Sequence, residues 1–164
     1  MRGLHLIADL RGCAAARPVM TTAAVLRSTC LDAVAAAGLT AVGELFHPFV
    51  PGAAHADGAP AGITGVVLLA ESHLAVHTWP EIGAATIDVY VCNVGADNSA
   101  RAESLLATLV AAFAPGAVER HAVERGAGPA ATASAASASA ATSASAVTPK
   151  STAATAATSA TSKR

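Results

Sequence analysis

The sequence predicts an α+β fold, a two-layer sandwich in which two helices cover one face of a mainly antiparallel sheet. Short apolar or alternating segments recur along the chain as candidate strands, and two longer segments carry apolar residues at helical spacing. Stretches that contain glycine and proline separate these segments as turns or loops. With both helices on one face, the opposite face of the sheet needs another cover or a function.

Outside the central hairpin, four segments are candidate strands, and one long loop connects two of them. Residues 4–10 alternate in hydropathy, and residues 39–47 are a second candidate strand. Residues 63–70 form a continuous apolar run with β-branched side chains, which is typical of a well-buried strand. A loop at residues 50–62, rich in glycine and proline, precedes that run, and residues 117–124 are the last candidate strand.

Two segments have the composition and spacing of helices. Pro18 can open the first, which covers residues 19–37 and ends at Gly38. The second covers residues 98–113, and the Pro115-Gly116 pair stops it. The apolar residues that should face the core are Leu26, Cys30, Leu31 and Val34 in the first helix, and Leu105, Leu106, Leu109, Val110 and Phe113 in the second.

Residues 73–79 and 84–92 alternate on either side of a turn centred on Glu81 and Ile82, which predicts a hairpin whose paired residue numbers add up to 163. One face is then apolar, and the other concentrates the reactive side chains of the segment: His73, His77, Trp79, Thr86, Asp88, Tyr90 and Cys92. In this register Cys92 lies opposite Glu71. Strict alternation points Ser72 to the other face, so the prediction includes a bend at Glu71 and Ser72.

Composition divides the chain and excludes several classes of function. Residues 1–125 can form one domain, whereas residues 126–164 are almost entirely Ala, Ser and Thr, which predicts a disordered tail. The net charge of −1 and the absence of a long apolar run argue against nucleic acid and membrane partners. Three cysteines, an odd number, do not suggest a disulfide framework, and the expected location is cytoplasmic. The only lysines, Lys150 and Lys163, lie in the tail, which argues against pyridoxal phosphate as a cofactor.

The reactive face alone allows several interpretations. His73 and His77 can be polar residues on a half-exposed strand. The His-x-x-x-His spacing is also a metal-ligand pattern, although it suits a helix face and no metal is expected on a strand. A Ser-His hydrolase is a third possibility, but the G-x-S-x-G elbow is absent.

The run GITGVVLLAESHLAVHTWPEIGAATIDVYVC, residues 62–92, resembles the central stretch of bacterial and archaeal S-adenosylmethionine decarboxylases. The similarity includes Glu-Ser-His, His-Thr-Trp-Pro-Glu and the cysteine twenty residues after the serine. The opening HLIADLRGC and the Phe-His-Pro-Phe stretch at residues 46–49 also resemble the family. Together these segments cover most of residues 3–93.

The resemblance implies a proenzyme that cuts itself between Glu71 and Ser72 into residues 1–71 and 72–164. Ser72 would attack the carbonyl of Glu71 to form an ester, and elimination followed by hydrolysis would turn Ser72 into a pyruvoyl group. His77 is implied as the base for this processing. Thr64 stands where the family often has a serine that supports processing, which leaves the processing rate open.

The resemblance further implies the catalytic and binding roles. The pyruvoyl carbonyl derived from Ser72 would form a Schiff base with S-adenosylmethionine and accept the electron pair as CO2 leaves. Cys92 would be the proton donor to the product, although a buried cysteine is also an ordinary core residue. Glu81 would hydrogen-bond the ribose, Phe49 would stack on the adenine and Trp79 would line the pocket. Each of these three also has a structural interpretation, as a turn carboxylate or as core aromatics.

The implied assembly is a homodimer of cleaved protomers, a four-layer αββα arrangement in which the two sheets face each other. The implied product serves spermidine synthesis. Two alternatives remain: a pyruvoyl-dependent arginine or ornithine decarboxylase of the same family, and a regulatory homologue that never cleaves. The loop at residues 50–62 is longer than expected for the family, and the tail is not a family feature.

Overall fold

One antiparallel sheet of six strands organises the protein, with strand order β2-β3-β4-β5-β1-β6. The computed structural model describes residues 2–50 and 61–126. Most of the predicted long loop and almost all of the predicted tail lie outside the described residues. The elements are β1 (Gly3–Arg11), α1 (Pro18–Thr21), α2 (Ala23–Ala36), β2 (Ala41–Pro48), β3 (Ile63–Leu69), β4 (Ser72–Trp79), β5 (Ala84–Cys92), α3 (Ser99–Phe113) and β6 (Ala117–Arg125), with a short 3₁₀ turn at Pro80–Ile82 between β4 and β5.

The core lies between the helices and one face of the sheet, as the alternating strands predict. Alternate residues of β1, β4 and β5 are buried on that face and pack in a single cluster with the helices. The helical residues predicted to face the core are mostly fully buried, including Leu26 and Cys30 of α2 and Leu105, Leu109 and Phe113 of α3. The predicted α+β class is therefore confirmed for one protomer.

The predicted hairpin register is confirmed residue by residue. His73 pairs with Tyr90, Leu74 with Val89 and His77 with Thr86, and each pair of numbers adds up to 163. Register is strongly specified here because a slip of one residue would move the apolar side chains to the other face of the sheet.

The prediction of one continuous first helix is wrong, because the chain contains two helices that meet at Thr22. The backbone of Thr22 is extended, with φ −116° and ψ 106°. Its carbonyl accepts hydrogen bonds from the amides of Val25 and Leu26, in the first turn of α2. Two adjacent threonines, Thr21 and Thr22, stand at the break, and β-branched residues fit an extended backbone better than a helical one.

The predicted burial of the third strand holds for only one face. Val67 and Leu69 are buried, but Leu68 is 51% exposed, and Leu45 of the neighbouring edge strand is 66% exposed. The sheet face away from the helices therefore carries apolar side chains that a single protomer leaves open. None of the helices in the described ranges is both long and apolar enough to cross a membrane.

Thr78 connects three elements from a fully buried position on β4. Its hydroxyl accepts a hydrogen bond from the amide of Ile63 at 2.9 Å and donates one to the carbonyl of Met20 at 2.8 Å. Both contacts are distant in sequence, so this hydroxyl ties β3 and α1 to β4. A buried polar group is tolerated here because both of its hydrogen-bonding functions are used.

We predict that Thr78→Val lowers the free energy of unfolding by about 2–4 kcal/mol, because a side chain of the same shape leaves a buried amide and a buried carbonyl without partners. The matched control is Thr108→Val on the exposed face of α3, where the hydroxyl only bonds the Ser104 carbonyl of its own helix. That change should cost less than about 0.5 kcal/mol. Urea denaturation of both variants measures the difference, and equal costs would contradict the role given to Thr78.

Candidate functional site

The sheet face away from the helices, which we call the polar face, holds most of the residues singled out from the sequence. Its side chains on β4 and β5 are His73, His77, Trp79, Thr86, Asp88, Tyr90 and Cys92. The face is divided along β4: one end lies at the β3–β4 turn and the other at the turn into β5.

The first end, which we call the cleavage end, contains Glu71, Ser72 and Cys92. Ala70 and Glu71 form the two-residue turn between the paired residues Leu69 and Ser72. Glu71 has a φ of 62°, in the left-handed region that a glycine or asparagine normally occupies. A bend is therefore present at Glu71, but Ser72 pairs with the buried Leu69 and so keeps the side of the sheet that strict alternation predicts.

Ser72 reaches Cys92 through the backbone. The Oγ atom of Ser72 accepts a hydrogen bond from the backbone amide of Cys92 at 3.0 Å. Ser72 begins β4 in register with Leu69, whose side chain is buried in the core. Cys92 is free, and its side chain is 8% exposed. The predicted neighbourhood of Ser72 and Cys92 is thus found, with an amide rather than the thiol as the contact.

The second end, which we call the aromatic end, contains Phe49, Thr64, His77 and Trp79. Thr64 pairs with His77 across β3 and β4, and its Oγ1 lies 3.0 Å from Nδ1 of His77. The Trp79 ring centroid lies 5.9 Å from that of His77 and 6.4 Å from that of Phe49. Thr64 fixes the imidazole through Nδ1, which leaves Nε2 available to a reacting group.

A cavity of about 580 Å³ lies beside Trp79, within the range of small-molecule sites. Asp9, Arg11 and Thr86 contribute its polar lining. Glu81 is an exposed residue of the adjoining 3₁₀ turn. The predicted binding residues thus share one end of the sheet, and the structure adds Arg11, which the sequence did not single out.

Ser72 and His77 do not meet within one protomer. Both lie on strand β4 and are separated by five positions, which corresponds to about 16 Å at the usual rise of a strand. A general base must lie within hydrogen-bond distance of the proton that it takes. The sequence motif therefore suggests a proximity that a single chain does not provide.

The extended backbone of β4 also separates its two histidines. His73 and His77 are four positions apart on an extended strand, or about 13 Å, which is too far to bind one metal ion. Asp9, Glu119 and His121 do have ligand atoms within 4.8 Å of one another. The last two are exposed, and groups of this kind are common on surfaces that bind no ion.

The centre of the polar face holds a cluster that the sequence pattern did not resolve, formed by His5, His73, Asp88, Tyr90 and Arg125. The ring centroids of His73 and Tyr90 lie 5.4 Å apart, and the Arg125 guanidinium lies 5.0 Å above the Tyr90 ring. Nε2 of His5 lies 3.4 Å from Asp88 without a hydrogen bond, and the buried Tyr90 hydroxyl has no partner among the described residues. The hairpin pattern puts His73, Asp88 and Tyr90 on this face, but only the pairing of β1 with β5 and β6 adds His5 and Arg125.

Comparisons with known proteins agree on one family. A family model described as S-adenosylmethionine decarboxylase matches residues 4–126. The S-adenosylmethionine decarboxylase proenzyme of Aquifex aeolicus is 36% identical over 124 residues, which cover 76% of this chain and 81% of that protein. The proenzyme of Archaeoglobus fulgidus is 32% identical over 124 residues, covering 76% and 97%. The crystal structure of the Aquifex aeolicus adenosylmethionine decarboxylase matches with a TM-score of 0.65 and 33% identity, covering 78% of this chain and 93% of that one.

We predict that stability falls as the pH drops from about 7 towards 5, in part because of His73. Burial lowers the pKa of His73, the neighbouring His5 and Arg125 lower it further, and Asp88 opposes them. The unfolded chain then binds a proton near the ordinary value of 6.5 while the folded chain resists it, so protonation favours unfolding below that pH.

His73→Gln should flatten this dependence, as measured by urea midpoints between pH 7.5 and 5. His47→Gln, a loss of an exposed imidazole on the edge strand, is the control. A His73→Gln variant with the same dependence on pH as the unsubstituted protein would contradict the prediction.

Proposed function

The chain belongs to the S-adenosylmethionine decarboxylase family, and on this basis we propose that it is a proenzyme that cuts itself between Glu71 and Ser72 and then decarboxylates S-adenosylmethionine. One observation carries the proposal within the family. Ser72 begins β4 directly after Glu71, the turn residue with a strained positive φ. Its Oγ accepts a hydrogen bond from the backbone amide of Cys92, whose thiol is the predicted proton donor. The product would be decarboxylated S-adenosylmethionine, for use in spermidine synthesis.

The processing chemistry begins with residues of the cleavage end. Oγ of Ser72 attacks the carbonyl carbon of Glu71, the C–N bond breaks and the nitrogen takes up the proton that Oγ loses, which gives an ester and a free amine. A base then removes the α-proton of residue 72, the Cβ–Oγ bond breaks and Glu71 leaves as a carboxylate. Addition of water and loss of ammonia convert the remaining dehydroalanine into a pyruvoyl group.

The base for this chemistry is His77 of a second copy of the chain. The separation of about 16 Å along β4 keeps a protomer's own His77 away from its Ser72. A two-fold dimer in which the polar faces meet can place the aromatic end of one copy over the cleavage end of the other. Each complete site then takes Ser72 and Cys92 from one chain and Thr64 and His77 from the partner.

The composition of the polar face supports a partner of this kind. Leu45 and Leu68 are exposed there in a single protomer, although apolar side chains gain free energy when they are removed from water. At the centre of the face, His5 Nε2 and the Tyr90 hydroxyl are buried without hydrogen bonds among the described residues. Packing against a second sheet would bury the leucines and offer polar neighbours to this centre.

The cleavage end fits a pyruvoyl group at residue 72. The Cys92 amide that now donates to Ser72 Oγ can donate to another acceptor at this position, and the pairing of β4 with β5 holds residue 72 after the cut. The group supplies an electrophilic carbonyl and takes up the electron pair released with CO2. Cys92, next to it, would return a proton to the product carbon.

The aromatic end supplies the binding groups. Phe49 and Trp79 can accommodate the adenine, and aromatic faces favour a sulfonium cation. The carboxylate of Glu81 can accept hydrogen bonds from the ribose hydroxyls. Asp9 and Arg11 contribute opposite charges to the cavity beside Trp79, and the Asp9 carboxylate can face the positively charged part of the substrate.

We predict two fragments in the intact mass spectrum of the denatured protein, residues 1–71 and a second chain that starts with a pyruvoyl group at position 72. Ser72→Ala should remain one chain, because it lacks the nucleophile. The cleaved protein should release CO2 from S-adenosylmethionine, whereas Ser72→Ala should release none.

Two outcomes would contradict this proposal in different ways. A single uncut chain in the unsubstituted protein would favour the non-cleaving regulatory homologue. Cleavage followed by release of CO2 from arginine or ornithine, and not from S-adenosylmethionine, would favour the alternative decarboxylase.

We predict that His77→Ala remains uncut alone but is cut when it forms a mixed dimer with Ser72→Ala. The His77→Ala chain keeps its own Ser72 and receives His77 from the partner. Co-expression with two different affinity tags, sequential purification and mass spectrometry of the mixed dimer would measure the cut.

The control partner is the double variant Ser72→Ala/His77→Ala, which cannot supply the imidazole and should leave the His77→Ala chain intact. A purified mixed dimer that stays uncut would refute the shared site. Cleavage of His77→Ala alone would refute the role of His77 as the base.

A further inference from the structure

Glu71 has an unusual backbone conformation for its residue type. Among the described residues only two that are not glycine have a positive φ, Glu71 at 62° and Ala114 at 45°. Ala114 follows the last turn of α3, where a left-handed residue commonly ends a helix. Glu71 has no such role and lies directly before the bond that the proposed function breaks. The Cβ atom of Glu71 makes the left-handed backbone unfavourable, whereas glycine, which has no Cβ, adopts it readily.

The sheet holds Glu71 in this conformation. Leu69 pairs with Ser72, so only Ala70 and Glu71 are available to reverse the chain. The amide of Ala70 also donates a hydrogen bond to the carbonyl of Thr40, at 3.1 Å, which anchors the turn to the segment before β2. A two-residue connection of this kind needs a positive φ, and here Glu71 provides it.

The nucleophile is held beside the strained residue. Oγ of Ser72 accepts the amide hydrogen of Cys92, so β5 fixes the serine while the β3–β4 turn fixes Glu71. The scissile peptide therefore joins two residues that different parts of the sheet hold in place. The strain cannot relax while this peptide is intact and the pairing is kept.

We propose that the left-handed backbone of Glu71 accelerates self-cleavage, because the strain is released as the peptide becomes an ester; this rests on the proposed function. In the peptide, one atom, the nitrogen, joins the carbonyl carbon of Glu71 to Cα of Ser72. In the ester, two atoms, Oγ and Cβ, join the same carbons while the nitrogen leaves as a free amine. The longer connection lets Glu71 return to an ordinary φ, and the subsequent elimination removes the connection altogether.

The test compares Glu71→Gly with Glu71→Ala, which lack the carboxylate equally and differ only in Cβ. Glycine removes the strain, whereas alanine keeps it. We expect Glu71→Gly to cut itself about three- to thirtyfold more slowly than Glu71→Ala, the range that corresponds to partial or full release of the usual strain. The uncut fraction is followed by mass spectrometry during a time course after rapid synthesis or refolding.

A second readout separates strain from a loss of order in the turn. In the uncleavable Ser72→Ala background, Glu71→Gly should unfold at a higher temperature than Glu71→Ala, because glycine accepts a positive φ. Glu71→Gly would then be more stable than Glu71→Ala and yet cut itself more slowly. If Glu71 only kept the turn in order, the more stable variant would not be the slower one. Ala70→Gly, at the neighbouring position with an ordinary negative φ, adds flexibility to the same turn without relieving strain. It should lower the unfolding temperature.

The outcomes distinguish this inference from the proposed function. If the unsubstituted chain cuts itself but Glu71→Gly is cut as fast as Glu71→Ala, or is no more stable in the uncleavable background, the strain inference is wrong and the proposed function stands. If Ala70→Gly slows the cut as much as Glu71→Gly does, flexibility rather than strain explains the effect and the inference is again wrong. If the unsubstituted chain never cuts itself, both fail.

Discussion

The antiparallel pairing of β4 with β3 and β5 fixes which functional groups can meet. It places Ser72 beside the Cys92 amide at one end and Thr64 beside His77 at the other. The same pairing keeps β4 extended, so the cleavage end and the aromatic end of one chain stay apart. The arrangement of the site, the proposed role of a second copy and the strain at Glu71 all depend on this one set of hydrogen bonds.

Much of this arrangement could be predicted from the sequence, because the alternation of apolar and polar side chains along two strands indicates how they pair. Apolar and reactive residues alternate so regularly across residues 73–92 that only one pairing keeps them on separate faces. That pairing put His73 opposite Tyr90, as found. The core-facing residues of α2 and α3 were predictable for the same reason, since helical spacing and burial agree there.

Other features depend on contacts between distant segments, which local patterns do not encode. The break at Thr22 lies next to Met20, whose carbonyl is bound by Thr78 from the sheet. Glutamate has no preference for a left-handed backbone, so the conformation of Glu71 follows only from the length of the turn and the pairing on both sides. A histidine five positions from a serine looks close in the sequence, yet on a strand this spacing separates them.

A site divided between two chains changes how maturation is controlled. In the proposed dimer, a monomer carries a nucleophile held under strain at Glu71 but lacks the base that completes the reaction. Strain alone raises the free energy of the precursor without providing a route for the proton, so the uncut chain can persist until a partner supplies His77. Assembly then becomes the event that releases the strain, and the cut commits each chain after its active site has been completed.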